Sequence, residues 1–394
     1  MKDEGKPITF VRGVKALGKA VGIKSNGNKD FCVVYLKNPS SYASVFTKNS
    51  VKAAPVLVNA ENLIKSNGVA QALFVVSGCA NACTGEKGIA DAKEMAQLIS
   101  RELKVKPEHV VVSSTGVIGK FLPMDKLQDG VKGVSTQLSD SAQSGLDASL
   151  AITTTDTRMK TIAVEVDGVR FAGMCKGAGM IHPNMATMLA YVFTDAQISS
   201  FNLKNALSFS VEKTFNLMSV DGCTSTNDTL AVFATGESGK SLSEEKFQKA
   251  LDFVCLQLAK KIVSDGEGVT KVFETTVKNA RSQEDAKKMV LSIINSPLVK
   301  TAVYGNDANW GRVIQAIGST QIKIDLNSFD VFFNDLQLVK NGVEQAFDES
   351  AARKIMSQKE FTITVDLKLG GASVTGWGCD LTEEYIKINA EYTT

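Results

Sequence analysis

The stretch Lys176-Gly-Ala-Gly-Met-Ile-His-Pro-Asn-Met-Ala-Thr-Met-Leu-Ala190 lies near the middle of the 394-residue chain. Upstream of it, apolar-rich runs at 161–166 and 169–174 flank Asp167-Gly168. Asp-Gly between such runs predicts a tight β-hairpin. Downstream, 189–193 is a short apolar run that predicts a strand. Between hairpin and strand stand two glycines, a proline and an asparagine, which exclude a regular element. Thr187 therefore falls at the mouth of a strand, after an irregular turn.

A threonine hydroxyl is a poor nucleophile unless a base stands beside it. The usual base is histidine, and the chain has only His109 and His182. A free α-amine is another, since its pKa of about 7.7–8.0 leaves a useful fraction neutral near neutral pH. A threonine at a chain N-terminus carries that amine itself, a variant of the triad arrangement. Thr187 would gain it by cutting of the Ala186–Thr187 bond, and small Ala186 leaves room for that chemistry. On spacing alone the plainer reading is a β-branched residue opening a strand.

As a whole, Lys176-Gly-Ala-Gly-Met-Ile followed by Pro183-Asn-Met-Ala-Thr-Met-Leu189 resembles the self-processing site of the ornithine acetyltransferase family, the glutamate N-acetyltransferases of arginine biosynthesis. The resemblance implies autocleavage between Ala186 and Thr187. It divides the chain into an α piece, 1–186, and a β piece, 187–394, whose first residue is the acyl-accepting nucleophile. It also implies a layered α/β/β/α sandwich of the DmpA-like kind, with two lobes built from both pieces. The implied assembly is a heterotetramer of two α and two β chains.

Composition sets the frame around the motif. A chain of this length exceeds what one core usually supports, so two lobes or one large layered α/β unit are expected. Hydrophobic residues at 44% and charged residues at 22% are those of a globular protein. Lys+Arg 44 against Asp+Glu 42 leaves +2, too balanced for a nucleic-acid or membrane surface. No apolar run approaches the roughly 18–20 residues of a membrane span. The opening Met1-Lys-Asp-Glu-Gly-Lys6 lacks the apolar core of a secretory signal. The seven cysteines are scattered and odd in number, and no Cys/His pair matches Cys79 and Cys83. A reducing cytoplasm is expected, without a zinc site.

Toward the N-terminus, 31–36 predicts a strand, and 45–47 and 55–58 predict short extended pieces. Val45-Phe-Thr-Lys-Asn49 and Val51-Lys-Ala-Ala-Pro-Val56 are similar to the family's N-terminal region. A strand at 72–76 runs into Ser77-Gly-Cys-Ala-Asn-Ala-Cys-Thr-Gly85, where the family carries Asn at the positions of Val76 and Cys79. Helices are expected over 86–103 and 125–138. A strand at 110–112 exits through Ser113-Ser-Thr-Gly-Val-Ile-Gly119. Acyl transfer needs donors aimed at a developing oxyanion, and a threonine hydroxyl with a glycine N–H supplies such a pair. Spacing alone favours an ordinary hydroxyl-rich turn here; the resemblance places the oxyanion hole on Thr115 and Gly116. Ile152-Thr-Thr-Thr-Asp-Thr157 reads as a strand or strand end. The resemblance implies substrate contact from one of its threonines, taken as Thr154, and from Lys176. A lysine in a Gly-bounded turn can anchor a carboxylate or tune a nearby amine.

Beyond Thr187, 200–215 predicts a helix. Asp221-Gly-Cys-Thr-Ser-Thr-Asn-Asp-Thr229 is a turn-rich loop before a strand at 230–235, with Cys223 where the family carries Asp. Phe247, Leu251, Val254, Leu258 and Ile262 form the core stripe of a helix. That helix ends at Ser264-Asp-Gly-Glu-Gly268, a tight turn holding Glu267. The resemblance implies that Glu267 touches substrate, and the side-chain ammonium of ornithine suits it. A strand at 272–277, a helix at 283–295, a strand at 299–304, a helix opening at Gly305-Asn-Asp-Ala-Asn-Trp-Gly-Arg312, and strands at 323–326, 331–333 and 362–367 follow. The ending Tyr385-Ile-Lys-Ile-Asn-Ala-Glu-Tyr-Thr-Thr394 matches a family signature and implies Asn389 and Thr394 in the pocket. Gly177-Ala-Gly179 and Gly376-Trp-Gly378 lack the third glycine of a dinucleotide fingerprint.

The implied reaction is ping-pong transfer of acetyl from N2-acetylornithine to glutamate through acyl-Thr187. No metal or organic cofactor is expected, and acetyl-CoA enters only as a second donor if the enzyme is bifunctional. Two other classes stay open. One is an N-terminal-nucleophile amidohydrolase or aminopeptidase of related architecture, with water as acceptor. The other is a non-enzymatic binding protein that keeps the fold uncleaved. Glutamate-dependent exchange separates the first, and cleavage excludes the second.

Overall fold

The computed structural model describes residues 1–182 and 188–391. Eight strands form one sheet: β1 (Val14–Lys19), β2 (Phe31–Phe46), β3 (Val69–Cys79), β4 (Val110–Val117), β5 (Lys160–Val166), β6 (Val169–Lys176), β7 (Leu189–Thr194) and β8 (Thr229–Ala234). Their order is β4-β3-β2-β8-β7-β6-β5, with β1 also paired to β2. The pairs β3–β4 and β7–β8 are parallel.

The long strand β2 turns this sheet into two layers. Phe31–Tyr35 pair with β3, the register slips, Ser40 and Ser41 pair with β3 again, and Ser41–Phe46 pair with β8. Pro39 stands where the register slips and has no N–H to give a ladder, so the strand bends there. Side-chain alternation then builds three apolar layers. Leu73 and Val75 of β3 meet Tyr191 and Phe193 of β7 and Phe233 of β8 in the middle of the sandwich. Phe74 and Val76 face outward onto the helix Gly85–Leu103. Ala190 and Val192 face outward the other way, onto the helices Ser200–Lys213 and Glu244–Val263. The order helix, sheet, sheet, helix is the layered α/β architecture expected. The hairpin β5–β6 turns at Asp167 and Gly168, both at positive φ as a two-residue turn of this kind requires.

A second sheet comes entirely from residues after 187: β9 (Val272–Ala280), β10 (Asp330–Phe333), β11 (Leu336–Lys340), β12 (Val343–Glu344), β13 (Glu360–Asp366) and β14 (Ala372–Cys379), in the order β12-β11-β10-β13-β9-β14. Phe273, Val277 and Ile363 of this sheet share a core with Val290 and Ile293 of the helix Gln283–Asn295. The larger lobe thus draws strands from both sides of Thr187, and the smaller lobe from one side.

Several local expectations are corrected. Residues 55–58 lie in the helix Ala54–Lys65, which Pro55 opens from a first-turn position where its missing N–H costs nothing. Residues 299–304 lie in the helix Pro297–Tyr304, because Ser296 caps it by accepting the Val299 N–H. The helix expected over 125–138 is two helices, Met124–Val131 and Val134–Gln137, broken at Gly133 with φ 73°. Residues 323–326 form no strand, and the C-terminal segment contains the helix Glu383–Glu391. Among the described residues no helix is long and apolar enough to cross a membrane.

Phe233 is fully buried, 5.2 Å from the Tyr42 ring centroid and 5.0 Å from that of Phe193. Phe233→Ala is expected to cost about 3–5 kcal/mol, read as a lower urea midpoint. A midpoint unchanged from wild type would show that the two β layers do not depend on this stack.

Candidate active site

One cavity opens where β4, β6 and β7 come together with the loop preceding β8. Thr115, Gly116, Thr154, Lys176, Glu267 and Asn389 all line it, beside Asp221, Asn227, Asp228 and Tyr385. Ala186, Thr187 and Thr394 lie outside the described residues. Met188, the next residue in the chain after Thr187, lines the cavity.

Thr115 and Gly116 belong to β4 itself rather than to an exit turn, because parallel pairing with β3 continues to Gly78 opposite Gly116. Gly116 has φ 128°, and a Cβ there would come within 2.4 Å of the Gly78 carbonyl carbon. Only glycine fits that approach. Asn227 fixes the loop before β8 to this edge, donating to the carbonyls of Ala80 (2.6 Å) and Ser114 (2.8 Å).

Lys176 ends β6 and donates to Thr115 Oγ1 at 3.0 Å. Burial pushes its pKa below the ordinary lysine value, and the neighbouring Lys160 adds to that, against the pull of Asp156, Asp228 and Glu267. Behind it lies a buried ionic cluster. Lys160 is fully buried, and its ammonium donates to both Asp156 and Asp265. Asp156 also accepts the Gly177 N–H at 2.7 Å and the Thr154 N–H at 2.9 Å. Burial alone would raise the Asp156 carboxyl, but Lys160, Lys176 and the Gly177 N–H outweigh it and hold it below the ordinary value. Thr154 sits in a loop, not a strand, because the helix Ala142–Ala151 precedes it and β5 begins only at Lys160.

The other end of the cavity is acidic. The Glu267 N–H donates to the Ala178 carbonyl at 2.9 Å, which holds the Glu267 turn against the chain leading to Met180. A Cβ on Gly179 would come within 2.3 Å of Glu267 Oε2, so any larger residue there would push the Glu267 carboxylate aside. Asn389, on the C-terminal helix, donates to the same Oε2 at 2.9 Å. Asp221 accepts the N–H groups of Met180 (2.6 Å) and Ile181 (2.9 Å) and the Tyr385 hydroxyl (3.3 Å). Burial raises the Asp221 carboxyl, and the Glu267 charge adds to that, against these backbone donors. Burial likewise pushes the Tyr385 hydroxyl up, with Asp221 adding to it.

The two family departures separate here. Cys223 lines the cavity, with its N–H on Asp221 at 3.1 Å. Cys79 is core, its thiol toward the Lys120 carbonyl at 3.2 Å. Asp156, Asp221, Asp228 and Tyr385 carry no catalytic signal of their own in the sequence. Asp221 and Asp228 bracket the turn-rich loop before β8, and that loop is the available signal. Among the described residues no group of three or more His, Cys, Asp or Glu side chains is placed to hold a metal ion.

The cluster sets a stability dependence on pH. The folded-state pKa of Asp156 lies below the ordinary 3.8. Its contribution is therefore complete above that value and is lost as pH falls through the folded pKa. Asp156→Asn leaves Lys160 short of a partner and is expected to cost about 3–5 kcal/mol at neutral pH. The gap between variant and wild type should narrow in acid below the ordinary carboxyl value. Urea titrations across pH read both, and a gap independent of pH would overturn the assignment.

A sequence profile described as the ArgJ family matches residues 15–394. The chain is 44% identical over 405 aligned residues to the arginine biosynthesis bifunctional protein ArgJ of Caldanaerobacter subterraneus subsp. tengcongensis, covering 99% of each chain. It is 44% identical to the protein of that name from Staphylococcus aureus (strain COL), covering 98% of this chain and 95% of that one. Among solved structures, the arginine biosynthesis bifunctional protein argJ of Bacillus halodurans is 40% identical with a TM-score of 0.51, covering 52% of this chain and 100% of that chain. The chain belongs to the ArgJ family and is an acyltransferase.

Proposed function

We propose that the protein transfers the acetyl group of N2-acetylornithine to glutamate, releasing ornithine and N-acetylglutamate. The observation that carries this reading is the polarity of one cavity. Lys176 stands against Thr115 at one end, and Glu267 with Asn389 closes the other. An acetylated diamino acid has a carboxylate for the lysine and a side-chain ammonium for the glutamate.

The chain is cut between Ala186 and Thr187, and the new α-amine of Thr187 acts as base for its own hydroxyl. The hydroxyl attacks the acetyl carbonyl, while Thr115 and Gly116 hold the oxyanion. Collapse expels ornithine, whose nitrogen takes the proton held by the α-amine. The glutamate amine then attacks the acetyl-Thr187 ester, and Thr187 is restored. Thr154, Lys176, Glu267, Asn389 and Thr394 contact substrate. Acetyl-CoA is a further acetyl donor in a bifunctional form. A solved relative matched along its full length yet covering 52% of this chain supports a precursor cut near its middle. The pieces, 1–186 and 187–394, stay together because β7 and β8 lie between β2 and β6. Two such pairs form the heterotetramer. Among the described residues none of the seven cysteines is in a disulfide, which supports a reducing cytoplasm.

Denaturing mass spectrometry should give two wild-type fragments meeting at Ala186/Thr187 and one intact Thr187→Ala chain. The cut enzyme should exchange labelled acetyl between N2-acetylornithine and glutamate. Thr115→Val should lower kcat by about 10²–10³-fold. An intact wild-type chain, or release of acetyl to water alone, overturns the reading.

A further inference from the structure

Among the described carboxylates around the cavity, Asp228 is the one with a buried oxygen that no donor reaches. Asp156 is held by Lys160 and Gly177, Asp221 by Met180 and Ile181, and Glu267 by Asn389. Asp228 also lines the cavity and is 2% exposed, yet its Oδ2 is buried without a hydrogen-bond partner. A buried carboxylate oxygen with no donor is costly as an anion. The backbone fixes the residue at this spot. Its carbonyl accepts the Thr47 N–H at 3.0 Å, and the next N–H, that of Thr229, donates to the Met188 carbonyl at 3.1 Å. The Met188 N–H bears on the Asp228 carboxyl, and that amide is the one that joins Met188 to Thr187.

We propose that the Asp228 carboxyl donates the proton that the Thr187 nitrogen takes up when the Ala186–Thr187 bond breaks. The inference rests on the self-cleavage stated above. The Thr187 hydroxyl oxygen bonds to the Ala186 carbonyl carbon, and the C–N bond to Thr187 breaks. The departing nitrogen takes the Asp228 proton, and the proton lost by the hydroxyl replaces it. Water then hydrolyses the Ala186 ester, freeing the Ala186 carboxylate and the Thr187 hydroxyl. No co-reactant beyond water is needed. Burial keeps Asp228 protonated well above the ordinary carboxyl range, against the pull of Lys176, the charged group that faces it, and of the Ser225 hydroxyl, the Met188 N–H and the Thr47 hydroxyl. Asp228 is thereby a proton reservoir built into the start of β8 and set beside the start of β7.

The test follows cleavage in full-length chains made by a short cell-free pulse and transferred to buffers from mildly acidic to mildly alkaline. Cut and uncut chains are quantified by denaturing mass spectrometry. The wild-type rate should fall as pH rises through the Asp228 titration. Asp228→Asn should cut about a hundredfold more slowly, with a flat profile. Thr187→Ala and the Thr187→Ala/Asp228→Asn double variant, both uncut, should melt alike, which separates proton supply from folding. Wild-type rates and pH profile in Asp228→Asn overturn the role of Asp228 while leaving self-cleavage standing. A wild-type chain that stays intact overturns the self-cleavage reading itself. Should Asp228→Asn fail to fold, a wild-type rate that is level or rising with pH still overturns the proposal.

Discussion

The site depends on the parallel pairing of β7 with β8 in the middle of the folded sheet. That pairing puts Leu189 level with Thr229. On one side Leu189 is level with Lys176 of β6, and on the other Thr229 is level with Phe46 of β2. Four strands from four parts of the chain therefore end their ladders at one height. β6 therefore ends and β7 begins at the same height. A parallel neighbour also needs a crossover, here through the helix Ser200–Lys213. The crossover returns along Asp221–Asp228 and brings its carboxylates to the mouth of β7.

Charge is placed in this row at a cost in stability. Lys160 and Asp156 are fully buried, and Asp265 nearly so. A buried pair seldom outperforms apolar packing, because desolvation offsets the attraction, whereas removing one partner leaves an uncompensated charge. What the cluster supplies is position. Asp156 ties the loop of Thr154 to Gly177, and so fixes the residue after Lys176. Lys176 then meets Thr115 on a different strand, with Lys160 disfavouring its charged form. Lys176 is held by its surroundings rather than by its own ion pair.

The parts of the fold legible in the sequence were those with local causes. Asp167-Gly168 marks its hairpin, Phe247 to Ile262 its helix stripe, and the run from Leu189 its strand, because turn chemistry and periodicity act over a few residues. The bend of β2 was not legible. Its two halves differ only in which strand each one meets, and Pro39 in a long apolar run reads as a break rather than as a passage between layers. Residues 299–304 mislead for the opposite reason: Ser296-Pro297 is a helix start, but the β-branched residues after it look like a strand. The site followed the same division. Thr115, Lys176 and Glu267 sit in motifs recognisable in sequence. Asp221 and Tyr385 meet across 164 positions of chain, and no spacing encodes that contact.

The smaller lobe has a place in this arrangement. Its last strand, β14, delivers the chain at Asp380, whose carboxyl accepts the Thr270 and Lys271 N–H groups at 3.0 and 3.2 Å. Lys300 is buried beneath and donates to the Cys379 carbonyl. From that anchor the helix Glu383–Glu391 runs over the cavity, and it buries none of its side chains. Its hold is polar: Thr382 on the Gly268 carbonyl at 2.7 Å, Tyr385 on Asp221 and Asn389 on Glu267. Two of these three contacts end on carboxylates that also face the cavity. A cation at that end would compete with Asn389 for the Glu267 carboxylate, so occupancy of the acidic end and seating of the helix would draw on the same oxygens. An apolar seam would have closed the cavity indifferent to its contents; a seam made of the cavity's own acids does not.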